Sequence, residues 1–298
     1  MGRRGVWTGL RLRQISGRLR QLGLRVCANT VRRLLEKLGY ALHANRKSLG
    51  ASCPGRDRQF RYLTRQRRRF AQAQAPIISV DTKKRELIGQ FKNPGRIWSR
   101  APLPVQDHDF PSLGQGVAIP YGVYDVQANR GCVTVGTSRN TPAFAAESIR
   151  QWWLRDGRRR YPQAARLLIL ADNGGSNGAG TYLWKQALQE KLVDPFGLRV
   201  TVCHYPTGAS KWNPIEHRLF SEISKQWAGQ PLADYPTVLR LIRATRTCSG
   251  LGVICSLDTR QYPKGIKLTP EQIRSISLHR HAVLPDWNYT LFPSENRN

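Results

Sequence analysis

Two short apolar runs in this chain end in an acid: Ile77-Ile78-Ser79-Val80 leads into Asp81, and Leu167-Leu168-Ile169-Leu170-Ala171 leads into Asp172. Both have the length and composition of buried strands. A carboxylate at such a place is costly unless a metal ion or a hydrogen-bond network compensates it. If the two strands are neighbours in an α/β sheet, both acids open on the crevice beyond its carboxyl ends, where such sheets bind ligands. A third acid is then expected from a helix packed over that end. Glu216 fits, in the first turn after Lys211-Trp212-Asn213-Pro214, with Pro214 suited to open the helix. Three hard oxygen ligands suit Mg2+ or Mn2+, and two such ions per site would serve an in-line displacement at phosphorus. Taken singly, Asp81 as a strand-end cap and Glu216 as a helix N-terminal acid are also compatible with purely structural roles.

The elements around these acids alternate. Glu86 to Phe91 reads as a second strand, joined to the first most simply as a hairpin. Residues 93–117 hold four prolines and read as an irregular insertion. Strands are expected at Tyr121–Val126, Gly131–Val135 and Leu198–Cys203, and helices at Thr141–Leu154, 180–193 and from Pro214 to about Trp227. The expected order is strands, helix, strand, helix, strand, helix.

Charge points to the partner. The 298 residues carry 48 Lys and Arg against 19 Asp and Glu, a formal charge of +29, the kind of field that attracts nucleic acid. Residues 1–70 alone carry +17. No apolar run is long enough to span a bilayer and no signal-peptide pattern is present, so a cytoplasmic, nucleoid-associated location is expected. The six cysteines form no C-x-x-C pair and the six histidines no zinc-binding spacing, which argues against a zinc enzyme or a disulfide framework.

Within the basic N-terminus, Leu12 to Tyr40 reads as two helices across a glycine turn at Gly23, closed by Gly39. With Arg25, Arg32 and Arg33 on the outer side, this matches a helix-turn-helix that could enter a major groove, although a solvated helical hairpin has the same pattern. The run Arg65, Arg67, Arg68, Arg69 suggests a basic linker or helix that could track phosphates.

The wording around the acids is specific: PIISVDTKKRELIGQFKN at 76–93, PYGVYDVQANRG at 120–131, AAESIRQWW at 145–153, LLILADNGGSNG at 167–178 and VCHYPTGASKWNPIEHRLFS at 202–221. These segments resemble the Rhodopirellula-type, or ISAzo-type, DDE transposases of bacterial insertion sequences, from about Leu12 to the WNYT of Trp287–Thr290. The resemblance implies a ribonuclease-H-like mixed sheet flanked by helices, preceded by a small all-α helix-turn-helix region. It implies that Asp81, Asp172 and Glu216 are the catalytic metal ligands. Asp172-Asn173 and Asn213-Pro214-Ile215-Glu216 also resemble acid motifs of the Tc/mariner-like transposases. The expected domains are 1–45, a helix-turn-helix region lacking sequence that family members carry before it; 46–75, a basic linker or helix; and 76–298, the catalytic domain. Two departures stand out: Asn173 in place of a glycine, and Cys27 where a Ser or Thr would cap the recognition helix.

The expected activity is metal-dependent hydrolysis at transposon ends followed by strand transfer to target DNA. A nuclease that cuts without joining would use the same acids, and a DNA-binding remnant without catalysis is the rival from another class. The expected partners are double-stranded DNA and a second copy of the chain, since two ends must be held. Lys83 and Lys84 could hold backbone phosphates or form a solvated turn. Lys211 could do the same, and Trp212 could stack on an unpaired base or pack in the core. His204 and His217 are expected to be structural, and Asp125 is the spare acid.

Overall fold

The computed structural model describes residues 9–42 and 55–294, so residues 46–54 of the expected linker lie outside the described residues. The chain divides into two compact units, 1–50 and 51–298. In the first, α1 (Leu12–Gln21) and α2 (Ala28–Lys37) are joined through Gly23, whose φ of 83° is one that glycine adopts freely. The Ser16 hydroxyl donates to the Val26 carbonyl (2.6 Å) and ties the first helix to the start of the second. Cys27 occupies the N-cap of α2 without a side-chain bond to the backbone, its Sγ lying 3.2 Å from Thr30 Oγ1. Val31 is buried, whereas Leu34 and Leu38 are exposed.

The second unit opens with α3 (Arg56–Gln72), whose Tyr62, Leu63 and Phe70 pack on Ile77, Leu168 and Leu170 of the sheet that follows. Nine strands form that sheet: β1 (Ile77–Thr82), β2 (Glu86–Ile88), β3 (Gly116–Asp125), β4 (Arg130–Gly136), β5 (Arg166–Ala171), β6 (Arg199–His204), β7 (Gly252–Asp258), β8 (Leu278–Arg280) and β9 (Asn288–Leu291). The order is β7-β4-β3-β1-β5-β6-β9-β8, with β2 beside β3. β1, β5 and β6 are parallel, and β3 runs antiparallel to both β1 and β4. That core is the ribonuclease-H-like arrangement expected from the resemblance.

No hairpin joins β1 to β2. β3 is ten residues long, and its two halves pair with β1 (Thr82↔Tyr121) and with β2 (Glu86↔Ala118) in the same antiparallel sense. β1 and β2 are therefore successive pieces of one line, interrupted at residues 83–85. The chain after residue 228, for which the sequence patterns specify no strands, widens the sheet at both edges, β7 pairing with β4 and β9 with β6.

One face of the sheet is covered by α4 (Pro142–Trp152) and α6 (Tyr182–Leu188). π-helical turns extend both, α4 into the short α5 (Arg158–Arg160) and α6 into α7 (Asp194–Phe196). The other face carries α3 over β1 and β5. It also carries α8 (Ser221–Gln226) and α9 (Tyr235–Arg243) over β3, β4 and β7. A short α10 (Pro270–Arg274) precedes β8.

Candidate active site

The last register pair of β1 and β5 is Val80 with Ala171, so Asp81 and Asp172 follow at the same level on adjacent strands. Their parity in the pleat is that of Ile77, Leu168 and Leu170, which point to the α3 side. Both acids therefore leave the sheet on one face, and both line a cavity of about 260 Å³ with Thr82, Asn140, Gly174, Gly175, Thr207 and Gly208. The Thr82 backbone N–H donates to Asp81 Oδ1 (2.7 Å) and fixes one side of that carboxyl.

Glu216 arrives from the helical segment that follows Pro214 and opens on a π-helical stretch, Glu216–Phe220, continuous with α8. Two glycines let this helix lie directly on the sheet. A Cβ on Gly122, the register partner of Asp81, would stand 2.6 Å from the Phe220 ring and 2.8 Å from Ile215 Cδ1. One on Gly131 would meet Leu219 at 2.5 Å. The helix is also tied to β1 by polar groups. Ser79 Oγ accepts from the Ile215 N–H (3.1 Å) and donates to Asn213 Oδ1. Asn213 Nδ2 in turn donates to Asp172 Oδ1 (3.4 Å). Ser79 and Asn213 are both completely buried. Sequence reasoning passed over Ser79 and met Asn213 only as part of a motif, without a role of its own, because a serine within a strand and an asparagine before a proline have many commoner uses.

Burial, reinforced by the nearby charge of Asp172, raises the Asp81 carboxyl to about 7, and Glu216 adds to the effect by charge and by a side-chain hydrogen bond. Asp172 is raised as well, by burial and then by Glu216, with Asn213 opposing. The three acids are thus brought to one end of the sheet and repel one another in a partly desolvated place. Among the described residues, no three His, Cys, Asp or Glu side chains are gathered tightly enough to enclose an ion. The paired Asp81 and Asp172 carboxylates, opening on a cavity, still fit a hard divalent ion that keeps several waters and takes other oxygens as ligands. A bound cation would relieve the repulsion the fold has built in.

The other sequence candidates are placed as follows. Arg25, Arg32 and Arg33 are exposed on the first unit, and Arg32 pairs with Glu36 at 3.1 Å. Lys84 is exposed, but Lys83 turns inward: its side chain is only 11% exposed, pairs with Glu86 at 3.4 Å and lies 4.6 Å from the Trp227 ring centre. Trp212 is 42% exposed and flanked by two cations, Arg56 at 4.8 Å and Lys211 at 4.2 Å from its ring centre, with Phe60 packed beside it.

His204 is fully buried between the carbonyls of Trp287 and Asn177. The exposed His217 contacts the Lys211 carbonyl. Asp125 is buried at the other end of the β1–β3 pairing, level with Ile78. There it accepts from the Tyr161 hydroxyl (2.9 Å) and from the backbone N–H groups of Gln127 and Ala128. It is a turn-capping acid, separate from the site.

No helix among the described residues is long and apolar enough to cross a membrane. No curated protein sequence matches the chain. Among solved structures it is similar to the Mos1 transposase paired-end complex with left transposon end, at 16% identity and a TM-score of 0.43, over 78% of this chain and 65% of that one. It is likewise similar to the Mos1 Strand Transfer Complex, at 16% identity and a TM-score of 0.45, over 78% of this chain and 64% of that one. The chain spans about 65% of the length of the solved chains it matches. The profile of the family described as Rhodopirellula transposase DDE domain matches residues 3–293, and the chain belongs to that family.

Proposed function

We propose that the protein is a DNA transposase that cuts phosphodiesters at the ends of an insertion sequence and joins the freed 3′ ends to target DNA. The observation that carries this reading is the pairing of Asp81 and Asp172 at one level and on one face, with Glu216 bearing on both. Asp81, Asp172 and Glu216 are assigned as the ligands of two Mg2+ or Mn2+ ions. When bound, such ions activate the attacking oxygen and stabilise the leaving one in an in-line displacement. The chain's own groups set the geometry for it. Thr82 N–H orients Asp81, Asn213 orients Asp172, and Ser79 anchors the helix that presents Glu216.

In the first step water attacks phosphorus at the element end, a P–O bond forms, and the bond to the 3′ oxygen breaks. In the second that 3′ hydroxyl attacks a target phosphodiester and displaces its 3′ oxygen. The helical pair α1 and α2, with Arg25, Arg32 and Arg33 exposed, is assigned to end recognition. Lys84, Lys211 and Trp212 are assigned to contacts near the cut, Lys83 to the support of Trp227 and Glu86. Two copies of the chain would hold two ends.

The test is incubation of the full chain with the element's terminal DNA and Mn2+, followed by detection of nicked ends and of strands joined to a target plasmid. Cleavage without joining would make the protein a nuclease. End binding without metal-dependent cleavage would make it a DNA-binding remnant.

A further inference from the structure

A strongly basic concave surface of the second unit lies away from the acids. β5 and β6 open on a register pair, Arg166 with Arg199, and Asp172 follows the far end of β5. At about 3.3 Å per residue, Arg166 and Asp172 are ~20 Å apart. Around the two arginines run two connected hollows. One of about 370 Å³ is lined by Tyr62, Arg69, Arg166, Arg199, His279 and His281. A second of about 580 Å³ shares Arg166 and Arg199 and continues past Gln127 and Tyr161. Beyond Arg69 the exposed Arg61, Arg65 and Arg68 continue the basic surface along α3.

None of these six arginines is ion-paired among the described residues. Two are instead held over rings, Arg65 at 5.0 Å from the Tyr62 centre and Arg166 at 5.3 Å from that of Phe70. The floor is polar and ordered: the Tyr62 hydroxyl meets His281 Nδ1 (2.6 Å), and His281 Nε2 meets Thr290 Oγ1 (2.8 Å). His281 titrates below the usual histidine range because of burial and then the positive charges of His279 and Arg69.

We propose that this groove is a second DNA-binding surface, which takes the phosphate backbone of duplex DNA at a distance from the carboxylate site. The inference rests on the transposase reading for its biological sense, though not for its geometry. Arginines one helical turn apart along α3, at ~1.5 Å rise per residue, satisfy a repeating polyanion, where a single small anion would need one cluster. A concave channel suits a rod such as a duplex; a flat lipid surface would be met by a convex or planar patch. The contacts are to backbone, so they fix register without reading sequence.

The experiment measures binding of the full chain, without metal, to a fluorescein-labelled duplex of 30 base pairs of random sequence and to phosphatidylserine vesicles across a salt series. Arg69→Ala with Arg199→Ala, both at exposed positions, is the first variant; Arg166→Ala with Arg199→Ala is the second. Two lost phosphate contacts should weaken binding of the 30-mer about tenfold and reduce the log–log salt slope by about 1.8. Unchanged affinity and slope on the 30-mer in folded variants would overturn the proposal. So would a loss confined to phosphatidylserine vesicles. Asp81→Asn separates the two readings: if the wild-type chain binds through the groove but never cuts DNA with Mn2+, the transposase reading fails and the groove stands. If the wild type cuts and Asp81→Asn keeps the wild-type slope, any failure belongs to the groove.

Discussion

Asp81 and Asp172 leave adjacent parallel strands at the same level and on the same face, one residue beyond the paired Val80 and Ala171. Carboxylates so placed are expected to act as a unit. Asp81→Asn, Asp172→Asn and Glu216→Gln each remove one charged ligand at nearly constant volume. Each should reduce Mn2+-dependent end cleavage by roughly three orders of magnitude, the scale of losing several kcal/mol of charge stabilisation at the reacting phosphate. Circular dichroism should show an intact fold. Retained cleavage in any one variant removes that residue from the ligand set.

Ser79 and Asn213 should matter almost as much without touching substrate. Ser79→Ala leaves the Asn213 carbonyl oxygen and the Ile215 N–H unpartnered in a dry place, a cost of about 1–3 kcal/mol. For a unit of this size that lowers the melting temperature by roughly 2–4 °C per kcal/mol. Cleavage should fall while DNA binding stays. If both stability and cleavage match the wild type, Ser79 is not the anchor described.

Gly122 is a steric test of the same helix. Gly122→Ala forces the Cβ against Phe220 and Ile215, and overpacking of this kind costs typically 1–3 kcal/mol. The helix moves outward with Glu216, so the single-turnover cleavage rate should drop more than end affinity does. Equal losses in both would point to general unfolding.

The pH dependence of stability has a definite sign. Folded Asp81 keeps its proton up to about 7, whereas the unfolded group releases it near 3.8. The unfolded state therefore binds fewer protons in that window, and stability of the metal-free protein falls as pH rises from about 4 to about 7. Asp81→Asn should flatten that part of the profile, measured by denaturant melts at successive pH values. A profile identical to that of the wild type would rule out Asp81 as its source.

A deletion series tests the N-terminal assignment. Residues 1–50 carry 12 Lys and Arg against Glu36, and removing them should weaken end binding and flatten its salt dependence. Removing residues 1–70 should instead unfold the remainder, since Tyr62, Leu63 and Phe70 belong to the core under α3. A soluble, cooperatively melting 71–298 fragment would contradict that packing.

What the sequence determined was local. The apolar make-up of residues 77–80 and 167–171 specifies buried strands whatever surrounds them, and an acid after each is conspicuous because burial penalises charge. The positive charge and the long motifs shared with a known family are likewise properties of the chain as written; the motifs carried the fold class and pointed to the three acids. Pairing was decided elsewhere. β2 continues the line of β1 along β3 because ten residues of β3 offer room for both, which no pattern within 77–91 can express. β7, β8 and β9 join the sheet through partners far away in sequence. The Ser79–Asn213 link spans 134 positions. Only the fold, by bringing the starts of β5 and β6 under α3, gathers arginines from three separate segments into one groove. Propensity is a property of neighbours along the chain; register, close approach and shared charge depend on which distant segments the core brings together.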